Sequence, residues 1–130
     1  MSARILVVED DADDRRLYGM ALQQHGYDVA YAGDYHTGLE LARTLRPDLI
    51  LLDLGLPGEK NGLELLLDAR RHHATARMPV IVLSGFPEAR IGDAARLAGC
   101  SLYLEKPASP LAVVRQIGEL LAAAPGRPDC

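Results

Sequence analysis

A chain of 130 residues is long enough for one domain with a single sizeable core, and its 48% hydrophobic and 25% charged content is that of an ordinary globular protein. A net charge of −4 argues against a general nucleic-acid binder, which carries a basic surface. No apolar run approaches the roughly 20 residues needed to cross a bilayer, and the opening MSARILVV lacks the tripartite pattern of a signal peptide, so a cytoplasmic protein without membrane insertion is expected. The two cysteines, Cys100 and Cys130, lack metal-ligand spacing and are expected as free thiols.

Short apolar runs alternate with longer helical patterns along the chain. Residues 4–8 (RILVV) read as a strand and 13–24 as a helix stopped by His25-Gly26. Residues 27–32 form a second strand, and Asp34 is placed to cap a helix that ends near Arg46, before Pro47. Residues 48–53 are a third strand; 62–73 are a helix whose apolar face is expected on Leu63, Leu66 and Leu67, with His72 and His73 at its frayed end. A fourth strand over 79–83, a helix over 87–98, a fifth strand over 101–105 and a helix over 110–123 complete the series. The domain is expected over residues 1–123, with a Pro/Gly tail, APGRPDC, over 124–130.

Five βα units with continuously apolar strands imply a parallel sheet covered on both faces, hence a three-layer, doubly wound α/β sandwich. Such sheets bind ligands outside the carboxyl ends of their strands. Four of the five runs deliver polar groups there: Glu9 and Asp10 after the first, Asp53 after the third, Ser84 after the fourth and Lys106 after the fifth.

Five of the six residues 9–14 are acidic, a cluster that repels itself unless something compensates. Asp11 is placed to cap the first helix, and Asp13 and Asp14 fall in its first turn, where the helix dipole favours each by about 0.3–1 kcal/mol. That leaves Glu9 and Asp10. If the first and third strands are neighbours, these two converge with Asp53 into an oxygen-only donor set suited to a hard cation such as Mg²⁺. Lys106 adds a second positive charge. A carboxylate beside a dication, an ammonium and a hydroxyl is equipped to attack phosphorus and become an aspartyl-phosphate. Taken singly, each group has a plainer reading: a solvated turn at Glu9-Asp10, a turn former at Asp53, a turn cap at Ser84, a strand residue at Tyr103 and a surface turn at Lys106.

The motifs VVEDD, LLDLGLPG, VLSG and YLEKP, in this order and across nearly the whole chain, resemble the receiver domain of two-component response regulators. The resemblance implies a flavodoxin-like (βα)5 fold with strand order 2-1-3-4-5. It implies Asp53 as the phosphoacceptor, Asp10 as a direct Mg²⁺ ligand, Glu9 acting on the metal through water, and the Gly55 backbone carbonyl as a further ligand. Ser84 corresponds to the hydroxyl that bonds the phosphoryl group, Tyr103 to the aromatic that turns inward with it, and Lys106 to the phosphoryl-binding lysine, followed by a cis bond to Pro107. The implied partners are a histidine kinase or histidine phosphotransfer protein, and a downstream protein or second copy meeting the fourth helix, fifth strand and fifth helix. Direct nucleic-acid binding is not expected. Such a domain promotes its own phosphorylation and hydrolysis without being a conventional turnover enzyme.

The alternatives are a phosphorelay carrier, a receiver fragment of a larger regulator, and an inactive interaction module. An aspartate-nucleophile phosphatase would need a second acid where Gly55 stands. Two departures from the family pattern stand out: the PGEKNG loop is one residue longer, and Ala108 occupies a position that often holds a bulky aromatic.

Overall fold

Leu6 and Val8 point one way from the first strand and Ile5 and Val7 the other, because side chains alternate across a strand, yet all four are buried. Only a sheet covered on both faces buries both sets. In the computed structural model, which describes residues 2–123, the elements run β1 (Arg4–Val8), α1 (Ala12–Gln24), β2 (Asp28–Ala32), α2 (Tyr35–Leu45), β3 (Leu49–Leu52), α3 (Gly62–Arg71), β4 (Val80–Ser84), α4 (Glu88–Ala98), β5 (Leu102–Glu105) and α5 (Pro110–Ala122). The strands form one parallel sheet in the order β2-β1-β3-β4-β5, as expected. The proposed tail, 124–130, with Cys130, lies outside the described residues.

Two apolar cores sandwich this sheet. Leu6, Val8, Ile50, Leu52, Val80 and Val82 pack with residues of α2, α3 and α4. Ile5, Val7, Leu49, Leu51, Ile81 and Leu83 pack under Tyr18 and Leu22 of α1 and Val113, Val114 and Ile117 of α5. The central strands β1, β3 and β4 supply these pairs, and the edge strands β2 and β5 are only partly buried. Cys100 is a buried free thiol, as expected.

Element boundaries differ from the sequence reading by one or two residues, and one face differs. The buried side of α3 is Gly62, Leu65, Leu66 and Ala69, with Leu63 packed at its edge, whereas Leu67 is 40% exposed. The reason is phase. Asn61 caps the helix, accepting from Glu64 N–H while the Glu64 side chain accepts from Asn61 N–H, and Gly62 seats against the backbone of Asp53 and Leu54, so the i, i+3, i+4, i+7 stripe from Gly62 is the face turned inward. The helix also ends at Arg71, and His72 is already extended.

Asp11 caps α1 as expected, its Oδ1 accepting from Asp13 N–H at 2.9 Å and Asp14 N–H at 3.0 Å. Asp11→Ala is expected to cost about 1 kcal/mol and Asp11→Asn much less, since an amide oxygen can still accept. Urea denaturation measures both; equal losses would refute the cap.

Candidate functional site

The sheet delivers the polar residues to one edge by register. Glu9 leaves β1 with its N–H bonded to Ala32 O, and Asp53 leaves β3 with its N–H bonded to Val8 O, each at 2.9 Å. Because β1 and β3 pair directly, Glu9, Asp10 and Asp53 converge: each offers a carboxylate oxygen, and the three lie within 4.8 Å of one another. Glu9 is buried, Asp53 half-buried and Asp10 exposed. The set is all hard oxygen, which fits Mg²⁺.

Lys106 follows β5, with its N–H bonded to Ser84 O at 2.8 Å. Although β4 lies between β5 and β3, the lysine ammonium reaches the acids, 2.6 Å from Glu9 Oε1, 2.8 Å from Asp14 Oδ2 and 3.2 Å from Asp53 Oδ2. The other Glu9 oxygen accepts from Asp11 N–H, and Asp53 Oδ1 accepts from Gly55 N–H, so the carboxylates are held from both sides. Burial pushes Glu9 up to about 7, against the pull of Lys106 and the Asp11 N–H; the charge of Asp53 adds to the rise. Burial draws Lys106 down, but the Asp14 and Glu9 carboxylates and the charge of Asp53 outweigh it and hold the ammonium above its ordinary value.

Ser84 is fully buried at the end of β4, and its hydroxyl accepts from Phe86 N–H at 3.1 Å. Tyr103 lies inward, 5% exposed, donating to Phe86 O at 2.6 Å. Both predicted residues therefore grip one loop, that between β4 and α4, at Phe86. Burial raises the Tyr103 phenol, with the Ser84 hydroxyl pulling the other way. The Lys106–Pro107 bond is cis.

The long PGEKNG loop is anchored. Gly58 turns it at φ +95°, which a side chain would strain. Lys60 lies 4.9 Å from the centre of the Tyr35 ring and 3.7 Å from Asp68 of α3, while Tyr35 donates its hydroxyl hydrogen bond to Asp68. Ala108, where an aromatic is common, contributes its carbonyl to Tyr18 Oη at 2.8 Å.

Three participants were not assigned to the site from sequence. Asp14 joins Lys106, Arg15 donates to Glu9 O at 2.8 Å, and Glu105 accepts from Glu88 N–H at 2.5 Å, supplying from β5 the cap that Pro87 cannot give α4. The available signal for Asp14 was its place in the first turn of α1, from which a helical side chain leans back toward the strand ends.

Comparison with known proteins bears on this geometry. The family model described as "Response regulator receiver domain" matches residues 5–117. The chain is 35% identical over 117 residues to the phosphate regulon transcriptional regulatory protein PhoB of Escherichia coli, covering 90% of this chain and 51% of PhoB. It is 44% identical over 103 residues to the KDP operon transcriptional regulatory protein KdpE of the same organism, covering 79% of this chain and 44% of KdpE. It thus spans about half the length of these curated relatives. A CheY-like receiver domain structure from Methanospirillum hungatei superposes with a TM-score of 0.85 at 29% identity, covering 94% of this chain and 95% of that one. A response regulator structure from Chloroflexus aurantiacus gives 0.88 at 28%, covering 94% and 99%. No helix among the described residues is long and apolar enough to cross a membrane.

Proposed function

The chain belongs to the response regulator receiver domain family, and from that premise we propose that it is a phospho-accepting switch in which Asp53 takes a phosphoryl group from a histidine kinase. The observation that carries this reading is the convergence of Asp53 with Glu9, Asp10 and the Lys106 ammonium at one sheet edge. An Asp53 carboxylate oxygen attacks phosphorus in line. The bond from phosphorus to the donor imidazole nitrogen breaks, its electron pair stays on nitrogen, and an aspartyl-phosphate results. Lys106 donates hydrogen bonds to the transferring phosphoryl oxygens, and the Ser84 hydroxyl donates one to a phosphoryl oxygen once the group is in place.

Asp10 and Asp53, the Gly55 carbonyl, and Glu9 through water would hold Mg²⁺. Bound there, Mg²⁺ supplies charge neutralisation for the phosphoryl oxygens. The partner need not be a kinase; a histidine phosphotransfer protein presents the same imidazole chemistry, and a carrier role uses the same residues. Self-phosphorylation and self-hydrolysis are the only catalysis in this reading, and its setting is the cytoplasm.

Output follows from the grip of Ser84 and Tyr103 on the β4–α4 loop. Phosphorylation shifts the population of that loop and of the α4-β5-α5 face, where a downstream protein or a second copy binds. The half-length overlap with PhoB and KdpE favours one alternative, the same switch acting on a further domain of a longer regulator. In either case nucleic-acid contact is assigned outside the receiver fold.

The test is intact mass after incubation with acetyl phosphate and Mg²⁺. One phosphoryl group is expected on the wild type, and none on Asp53→Asn or without metal. A phosphoryl group retained by Asp53→Asn overturns the assignment of the acceptor. Failure of the wild type to take either acetyl phosphate or beryllofluoride overturns the switch.

A further inference from the structure

We infer that Asp14 is a positioning residue that restrains Lys106 and so weakens the site's hold on an incoming phosphoryl donor; the inference rests on the receiver reading above. An ammonium has three N–H donors. Lys106 directs them at Glu9 Oε1, Asp14 Oδ2 and Asp53 Oδ2, at 2.6, 2.8 and 3.2 Å. Glu9 and Asp53 belong with Asp10 to the oxygen set that fits a cation. Asp14 stands outside that set.

Asp14 is placed by a different element from the other acids. It is the third residue of α1, its N–H tied to the Asp11 cap, and its carboxylate is aimed at the lysine. The Asp14–Lys106 contact is shorter than that of Lys106 with the acceptor Asp53. Asp14 is not among the oxygens that would hold a metal, so its contact with Lys106 does not compete with a cation for a ligand.

Two consequences have the same sign. Asp14 occupies an N–H that a phosphoryl oxygen requires, and it adds negative charge where an anionic donor must enter. Its side chain is 34% exposed and that of Lys106 18%, so solvent screens the pair in part and the effect is moderate.

The experiment follows phosphorylation of the full chain by acetyl phosphate, a donor small enough to need no kinase docking surface. With Asp14→Asn the half-saturating donor concentration is expected to fall about fivefold while the maximal rate changes little. The gain should narrow as ionic strength rises, and Asp14→Glu should return the wild-type value. A second readout needs neither metal nor donor: exchange of the Lys106 ammonium protons, followed by NMR, should accelerate in Asp14→Asn. An unchanged or higher half-saturating concentration in Asp14→Asn overturns the inference, whatever the ammonium exchange shows. So does unchanged ammonium exchange, which would mean that the ion pair is not formed. If the wild type acquires no phosphoryl group on Asp53, the receiver reading fails first and this inference falls with it.

Discussion

Gly62→Ala is expected to destabilise the fold by about 2–3 kcal/mol and to slow phosphoryl acceptance, although helix propensity alone favours alanine by about 1 kcal/mol. The clash decides the sign. A Cβ on Gly62 would lie 2.3 Å from Asp53 O and 2.7 Å from Leu54 Cα, backbone against backbone, where no rotamer can yield. Gly62 N–H also bonds to Leu54 O at 3.0 Å, so the start of α3 is tied to the segment that carries the acceptor. Pushing α3 outward therefore moves Asp53 relative to Lys106. Gly118, inside α5, is the control. A Cβ there meets only Tyr27 Oη at 3.6 Å, an ordinary contact, so Gly118→Ala should stabilise by about 0.5–1 kcal/mol. Urea denaturation of both variants, with the acetyl phosphate rate of the first, is the measurement. A Gly62→Ala variant as stable as Gly118→Ala would show that α3 does not constrain the Asp53 segment.

Lys106→Met is expected to lower the rate of phosphoryl transfer about 100-fold, because the ammonium is the protein's own cation at the reacting oxygens. Its effect on stability should depend on pH. Burial raises Glu9 from 4.5 to about 7, so between these values the folded chain binds more protons than the unfolded one. Stability of the metal-free wild type accordingly falls as pH rises through that window. Removing Lys106 removes a downward pull on Glu9, lifts it further and extends the fall to higher pH. Lys106 itself, raised above 10.5, contributes stability that is constant through this range and is lost only at more alkaline pH. The loss in Lys106→Met should thus be about 2 kcal/mol greater at pH 8 than at pH 5. Mg²⁺ should reduce the pH dependence of the wild type by compensating the acids. Urea midpoints at the two pH values, with and without metal, measure this; an equal loss at both would exclude Glu9 as the group that Lys106 offsets.

The chain alone determined the architecture. Apolar runs with no polar face can be satisfied only in a sheet covered on both sides, and the polar residues that end those runs must then gather at its carboxyl edge. For that reason Asp53, Glu9, Asp10 and Lys106 are legible as a constellation in the sequence, as is the cap at Asp11. Tertiary structure decided which partners the polar groups take across distant elements. The outward turn of Leu67 came from the seating of α3, with Gly62 against the backbone of Asp53 and Leu54, which hydrophobic spacing does not encode. The tie of Glu105 to α4 and of Asp14 to Lys106 joins residues 17 and 92 positions apart. An exposed acid in a first helical turn looks the same in sequence whether it faces water or an ammonium. Only the packing of α1 beside the ends of the strands brings Asp14 to the lysine.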